Sequence, residues 1–167
     1  STSGWEQIDA NQAYLYVSNH RDIVLDTALM NYCLLHQKKI MTASAIGDNL
    51  VHNDFLLAFA KLNRNFLVKR SLSPREMLLS SKNLSQYIFE LIQNDNRSVW
   101  IAQREGRAKD GNDETHKGVL KMLTLAKERK SNGVAHLKKL NIVPVSVSYE
   151  QDPTDLLKTK ELFAKAE

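Results

Sequence analysis

The sequence predicts an α/β domain in which helices pack around a largely parallel or mixed central sheet. Short apolar, β-rich runs alternate along the chain with helix-period stretches of ten residues or more. Connections of that length allow a strand to be followed by a crossover helix and a neighbouring parallel strand. The 167 residues, without an internal repeat or low-complexity linker, suit a single domain over residues 1–167.

The amino-terminal half predicts three strands alternating with three helices. A strand from Ala13 to Val17 leads into a buried helix from Ile23 to Leu35. The third helix has a strong start, because Ser73 can cap it, Pro74 suits its first position and Glu76 completes a capping box. The other expected elements are a short strand or loop at Lys38–Ala45, a helix capped by Asp48 or Asn49 that reaches Leu62, and a strand at Asn65–Arg70.

Apolar periodicity also predicts which side chains of these helices face the core. In the first helix they are Ile23, Leu25, Ala28, Leu29, Tyr32 and Leu35. In the second they are Val51, Phe55, Leu56, Phe59 and Leu62. In the third, which runs to about Gln93, they are Met77, Leu78, Leu84, Tyr87, Ile88 and Leu91.

The carboxy-terminal half continues the alternation. A strand at Arg97–Ala102 is followed by a polar loop from Gln103 to His116, which is too long and too charged to be a simple connection. Further expected elements are a helix at Lys117–Lys130, a weaker helix near Val134–Leu140, a strand at Ile142–Tyr149 and a charged helical pattern around Lys158–Glu167. Because that last pattern runs to the final residue, we expect the chain to be a fragment whose flanks, including any membrane anchor, lie outside it.

Composition and charge narrow the possible functions. Hydrophobic residues make up 43% and charged residues 25%, as in ordinary globular domains. The net charge of +4 suits phosphates, acidic carrier proteins or an anionic membrane surface, and selects none of them. No zinc-ligand spacing, RNP-like motif or basic heptad helix points to nucleic acid. No apolar run approaches the roughly 18 residues that a membrane-spanning helix needs.

Polar residues at three predicted strand ends are candidates for a site. His20 follows the first strand, with Asp22 and Asp26 close behind it, and a histidine beside a carboxylate can act as a general base. Lys69 and Arg70 end the third strand, and the loop after the fourth contains Glu105, Gly106 and Arg107. In a parallel sheet these three ends lie at one edge, where ligands of open α/β folds bind.

Each candidate has a simpler interpretation that the residues leave open. His20 can be a surface histidine beside Asp22, which can cap the helix. The Lys69–Arg70 pair can be a solvated strand end, and the loop can be a surface turn. The sequence has no H-E-x-x-H, cysteine cluster, P-loop or G-x-S-x-G pattern, so metal, nucleotide and serine-hydrolase functions lose support.

Taken in order, these segments resemble the four sequence blocks of the glycerophospholipid acyltransferase family, which includes glycerol-3-phosphate and 1-acylglycerol-3-phosphate O-acyltransferases. The resemblance spans residues 14 to 150 and is closest to the glycerol-3-phosphate branch, in which the last block often ends in Tyr-Glu or Tyr-Asp. The four matching segments are Asn19-His20 through Asp26, Phe66 to Ser71, Glu105-Gly106-Arg107 with the following Ala108 to Gly111, and Val143 to Glu150 with Pro144.

Two blocks depart from the family pattern. Five residues separate His20 from Asp26 instead of four, so a one-residue extension before the helix is needed to restore the usual geometry, and Asp22 is the rival partner. In the third block no residue stands between Gly106 and Arg107. If Arg107 has the family's arginine position, Glu105 is one step away from the family's glutamate.

The resemblance implies acyl transfer in phospholipid synthesis. His20, oriented by Asp26, is expected to take the proton from a glycerol hydroxyl that attacks the thioester of acyl-CoA or acyl-carrier protein. The residues expected to hold or surround the glycerol phosphate are Lys69, Arg70, Glu105, Gly106 and Arg107, while Pro144 lines the acyl side. The resemblance implies no metal, no bound cofactor and no nucleic-acid partner.

The family places this chemistry at the cytoplasmic face of a membrane, reached through segments outside this chain. Two other functions stay open at this point. One is a non-catalytic module on the same fold that binds lipid or acyl-carrier protein. The other is acyl transfer to an acceptor without glycerol, such as an amino-acid lipid.

Overall fold

The computed structural model describes residues 1–109, 112–128 and 130–166 and confirms the α/β class. The strands are β1 (Leu15–Ser18), β2 (Thr42–Gly47), β3 (Asn65–Val68), β4 (Ser98–Ala102) and β5 (Ile142–Val145). The helices are α1 (Leu25–His36), α2 (Asp54–Leu62), α3 (Pro74–Gln93), α4 (Lys117–Leu123), α5 (Gly133–Lys139) and α6 (Asp155–Ala166). The five strands form one sheet in the order β3-β2-β4-β1-β5, and all its pairs are parallel.

Side chains alternate between the two faces of the central strands and build two apolar layers. Leu15 of β1 and Val99 of β4 face a cluster that includes buried residues of α3 and α4, together with Leu140 just after α5. Tyr16 and Trp100 point to the opposite face, where they pack with buried residues of α1. Strand β5 lies at one edge of the sheet, a position that tolerates Pro144 because proline has no N–H to donate.

The start of α3 agrees with its sequence prediction. The Ser73 hydroxyl accepts from the backbone N–H of Glu76 at 3.4 Å, and the Glu76 carboxylate accepts from the backbone N–H of Ser73 at 3.0 Å. Pro74 occupies the first turn. These contacts form the predicted capping box and satisfy N–H groups that have no partner within the helix.

The expected cap of the second helix is wrong. Residues Asp48–Leu50 form a separate 3₁₀ turn, and α2 begins only at Asp54. Its cap is Asn53, whose side-chain oxygen accepts from the backbone N–H of Leu56 at 2.9 Å. A polar side chain nearer the helix therefore takes the role predicted for Asp48 or Asn49.

Two later elements are shorter than expected. The predicted helix to Lys130 ends at Leu123, where the Ser85 hydroxyl of α3 donates to the Leu123 carbonyl and accepts from the N–H of Ala126. The predicted strand to Tyr149 ends at Val145, because the side chain of Asn19 takes up both backbone groups of Val147. In each case a side chain competes for backbone groups that would otherwise continue the element.

The predicted inward faces of the first two helices are also wrong. In α1 the buried residues are Asp26, Met30 and Leu34, and most of the predicted apolar residues are exposed. In α2 only Ala60 is buried, while Phe55, Phe59 and Leu62 face outward. For α3 the prediction is partly confirmed, with Ile88 and Leu91 buried and Met77, Leu78 and Tyr87 exposed. Among the helices of the described residues, none has the length and apolar character that crossing a membrane requires.

Candidate active site

The site begins where β1 ends, at the carboxyl edge of the sheet. The backbone of the loop after β4 runs beside this point: Gln103 N–H donates to the Ser18 carbonyl at 2.7 Å, and Ala108 N–H donates to the His20 carbonyl at 2.8 Å. Strands β1 and β4 are neighbours and parallel, which brings these two chain segments together. The backbone on both sides of His20 is therefore fixed by the loop.

The imidazole of His20 is paired with Asp26. Its Nδ1 lies 2.8 Å from Asp26 Oδ2, the Asp26 side chain is fully buried, and the His20 side chain is 16% exposed. Asp22 has a different task, because its Oδ1 accepts from the backbone N–H groups of Val24 and Leu25 at the start of α1. The extra residue between His20 and Asp26 lies before the helix, so the carboxylate reaches the ring from the first turn of α1.

The carboxylate of Asp26 accepts four hydrogen bonds. Besides His20, Oδ2 accepts from the backbone N–H groups of Arg21 at 2.7 Å and Asp22 at 3.1 Å, and Oδ1 accepts from the hydroxyl of Tyr149 at 2.8 Å. Burial opposes ionisation of this carboxyl. The hydrogen bonds outweigh burial and hold the pKa of Asp26 below its ordinary value. The carboxylate is thus kept charged beside the imidazole.

An aromatic ring supports His20 from the sheet. Trp100 of β4 packs edge-on against the imidazole, with ring centroids 5.6 Å apart and an interplanar angle of 70°. The buried indole is itself fixed, because its N–H donates to the Ser18 hydroxyl at 2.9 Å. The imidazole is therefore held by a carboxylate at Nδ1 and by a rigid ring, which leaves Nε2 as the nitrogen that can meet a substrate.

The predicted cationic side of the site forms one close contact across two strand ends. The guanidinium of Arg70, which follows β3, makes an ion pair with the Glu105 carboxylate of the loop after β4. The Arg70 side chain is 38% exposed and that of Glu105 is 79% exposed. The backbone N–H of Arg70 also donates to Asp48 at 3.1 Å. Two of the predicted binding residues thus meet at the carboxyl edge.

The other predicted binding residues lie apart from this pair or are more weakly fixed. Gly106 has a left-handed backbone (φ 72°), which favours glycine, although space for a side chain is open. Arg107 points toward the carboxy-terminal segment, with contacts to Thr154 at 3.3 Å and Glu161 at 3.4 Å. Lys69 is exposed beside the start of α3. Asp110 and Gly111 of the same loop lie outside the described residues, and Pro144 is exposed on the edge strand.

Sequence reasoning assigned no role to three residues that build this site: Asn19, Asp113 and Tyr149. The Asn19 amide donates to Val147 O at 2.8 Å and to Asp113 at 3.0 Å, and its oxygen accepts from Val147 N–H at 2.7 Å. Asp113 also forms an ion pair with Arg21 at 2.7 Å. No local pattern signals contacts across more than 90 residues. The available sequence signal was position alone, since Asn19 lies in the first block and Tyr149 in the fourth.

The arrangement suits proton transfer by a histidine–carboxylate dyad next to an exposed cation. Among the described residues, no group of three or more His, Cys, Asp or Glu side chains is placed to hold a metal ion. His20 has both a fixed partner, Asp26, and a partly exposed ring. We therefore treat it as the candidate base of the site.

A comparison with known protein families gives a match over most of the chain. The family model described as Acyltransferase matches residues 2–148, which include β1 to β5, the dyad and the loop after β4. A search of curated protein sequences finds no match. Since the family model covers most of the chain, this protein belongs to the acyltransferase family.

Proposed function

We propose that the protein transfers a fatty acyl group from a thioester donor, acyl-CoA or acyl-carrier protein, to a hydroxyl of a glycerol-phosphate-type acceptor. Membership of the acyltransferase family supports acyl transfer in general. The observation that carries the finer proposal is the 2.8 Å contact between His20 Nδ1 and a buried, ionised Asp26. Such a dyad activates a hydroxyl without a covalent intermediate on the protein.

In the proposed mechanism the free Nε2 of His20 takes the proton from the acceptor hydroxyl. The hydroxyl oxygen attacks the thioester carbonyl carbon and forms a new C–O bond. The C–S bond then breaks, and the imidazolium returns the proton to the departing thiolate. Asp26 fixes the tautomer and stabilises the imidazolium while the proton is held there.

The proposed place of the acceptor phosphate is beside Arg70, with Lys69 and Arg107 as further cations near the same edge. A guanidinium can bind two phosphate oxygens at once, which suits the positioning of a hydroxyl a few bonds away. Arg70 is already at the meeting point of the third strand end and the loop after β4. A phosphate there competes with Glu105 for the guanidinium.

The test of the proposed function is His20→Ala. Because a general base contributes between 10² and 10⁴ in rate, we expect transfer to fall roughly 1000-fold. The measurement is thiol release from acyl-CoA and from acylated carrier protein, with glycerol 3-phosphate and with lysophosphatidate as acceptors. His36→Ala, an exposed histidine at the end of α1, is the control and should retain activity. Full activity of His20→Ala refutes the mechanism, and tight donor binding without turnover in the unaltered chain favours a non-catalytic binding module.

We also propose that the protein works against a bilayer surface through the outer sides of α1 and α2. The only Asp, Glu, Lys or Arg of α1 is Asp26, which is buried, and its outer side carries Leu25, Leu29, Tyr32 and Leu35. The right-handed rule for parallel crossovers places α2 on the same face of the sheet, with Phe55 76% and Leu62 82% exposed. Exposed cations, Lys38, Lys61 and Arg64, follow or end these helices. An apolar face with cations at its border suits an anionic bilayer.

Vesicle binding tests this surface. In vesicles of phosphatidylcholine and phosphatidylglycerol, we expect Phe55→Ser with Phe59→Ser to lower the bound fraction about tenfold, because two exposed aromatic contacts are lost. The matched control is Leu78→Ser with Leu79→Ser, an exposed apolar pair on α3 across the sheet. We expect that pair to bind vesicles like the unaltered chain. Equal loss from both pairs, or no binding at all, contradicts the proposed surface.

A further inference from the structure

The hydroxyl of Tyr149 reaches the dyad from the far end of the chain. Its oxygen lies 2.8 Å from Asp26 Oδ1, across 123 positions of sequence. The other three donors to this carboxylate all reach Oδ2. Tyr149 is therefore the contact that satisfies the second oxygen of a buried carboxylate.

A carboxylate held at one oxygen can still turn about the bond that joins it to the side chain. A donor on the second oxygen fixes the plane of the carboxylate, and with it the direction of the bond to His20 Nδ1. An unsatisfied carboxylate oxygen at this buried position would also be costly. With a single hydrogen bond, the Tyr149 hydroxyl both fixes the orientation of the carboxylate and gives its second oxygen a partner.

The segment that presents Tyr149 is itself fixed to the site. Strand β5 ends at Val145, and two residues later both backbone groups of Val147 bond to the side chain of Asn19. Asn19 is the neighbour of His20 in the sequence. The turn that carries the imidazole thus also holds the segment that carries the tyrosine, and one pair of hydrogen bonds keeps the two in register.

We infer that Tyr149 is a positioning residue for acyl transfer: its hydroxyl fixes the Asp26 carboxylate in the orientation that holds His20. The inference rests on the proposed function of the dyad. Tyr149 touches neither the imidazole nor the expected place of the substrate in the contacts described, and it acts through Asp26.

The charges around Tyr149 keep its hydroxyl a donor. Burial, the hydrogen bond to Asp26 and the negative charges of Asp26, Asp22 and Asp152 all raise the pKa of Tyr149. The groups facing Asp26 are His20, Tyr149 and the backbone of the turn before α1. The tyrosine therefore stays protonated over the pH range in which a histidine base works, and its contribution does not switch off there.

The test is Tyr149→Phe, which removes the hydroxyl and keeps the ring. We expect kcat/KM to fall about 10-fold, because a hydrogen bond to a charged group is lost. The acidic limb of the kcat/KM profile should move to lower pH, since a carboxylate that is free to turn stabilises the imidazolium of His20 less. A general loosening of the fold would lower the whole profile and leave its limb unmoved.

Tyr87→Phe is the matched control, because this half-exposed tyrosine of α3 packs edge-on against Phe66 and lies outside the dyad. We expect its profile to equal that of the unaltered chain. In the background of Asp26→Ala, Tyr149→Phe should cause no further fall, since the side chain through which Tyr149 acts on His20 is absent. An unmoved acidic limb, or an equal loss in Tyr87→Phe, overturns the inference.

A measurement that needs no activity separates this inference from the proposed function. The proton on His20 Nδ1 can be observed by NMR when the protein is labelled with ¹⁵N-histidine. We expect the chemical shift of this proton to change in Tyr149→Phe and to stay the same in Tyr87→Phe. If the unaltered chain transfers no acyl group, the proposed function fails. An Nδ1 signal that is identical in all three proteins refutes the role of Tyr149 whether or not transfer occurs.

Discussion

The two sides of the candidate site are built in opposite ways. On the dyad side, the Asp26 carboxylate is fully buried and accepts four hydrogen bonds from two segments of the chain, the turn of His20 to Asp22 and the segment of Tyr149. On the cationic side, Arg70 and Glu105 are partly to mostly exposed and hold one ion pair. The first arrangement is complete before any substrate arrives, and the second is easily rearranged by an anion.

This difference matches the tasks that we propose for the two sides. Proton transfer needs a base whose orientation is fixed in advance, since reorganisation during the reaction raises the barrier. Phosphate binding needs cations that can leave their partner, and an exposed ion pair contributes only about 0–1 kcal/mol to stability. Changes on the dyad side should therefore alter kcat and the stability of the fold, and changes on the cationic side should alter KM.

The largest kinetic effect is expected from Asp26→Asn, on the dyad side. An amide of the same shape can still accept from His20 and the two backbone N–H groups, while its NH₂ group donates to the Tyr149 oxygen. The fold should persist, but the negative charge that stabilises the imidazolium is lost. We expect kcat to fall roughly 100-fold with little change in KM. A variant with normal kcat would show that the dyad is structural.

The lowered pKa of Asp26 also predicts how the stability of the fold depends on pH. Because the pKa of Asp26 is lowered in the folded chain, its ionisation stabilises the fold above the ordinary carboxyl pKa of about 3.9. That contribution is lost as the pH falls through the lower folded value. At pH 7 we expect Asp26→Asn to lower the free energy of unfolding by about 1–3 kcal/mol. When urea unfolding is measured from pH 7 down to about 3, the difference in the free energy of unfolding between the unaltered chain and Asp26→Asn should shrink. A difference that stays constant over this range contradicts the prediction.

The dyad could be predicted from the sequence because its members lie within one turn of chain. His20 and Asp26 follow a strand and enter a helix, and the choice between Asp26 and Asp22 depended only on where that helix begins. The capping contacts of Asp22 settle its start. Tyr149 bonds to Asp26, and Asn19 to Asp113, across more than 90 residues, so only the folded sheet brings these partners together. Four predicted blocks located the region but not these contacts.

The strands and the α/β class were predictable for a similar local reason, whereas the buried faces of α1 and α2 were not. Periodicity finds the most apolar side of a helix and assigns it to the core. In α1 the buried side is instead the one that contains Asp26, with Met30 and Leu34 following at helical spacing. The carboxylate needed by His20 sets the rotation of the helix, and the more apolar side is left outside. A rule based on apolar residues alone cannot anticipate a buried charge.

The smallest and most specific effect is expected from Arg70→Ala on the cationic side. If a phosphate replaces Glu105 on this guanidinium, the variant should raise the KM for glycerol 3-phosphate about 10-fold, since Arg70 is partly exposed and solvent weakens the contact. The KM for the acyl donor and kcat should change little. Arg97→Ala is the control. It removes the same charge just before β4, at the amino ends of the strands and away from the candidate site. An equal rise in both variants would indicate a general effect of net charge. If the KM for glycerol 3-phosphate rises only in Arg70→Ala, and kcat falls only in Asp26→Asn, then the cationic side controls KM and the dyad side controls kcat.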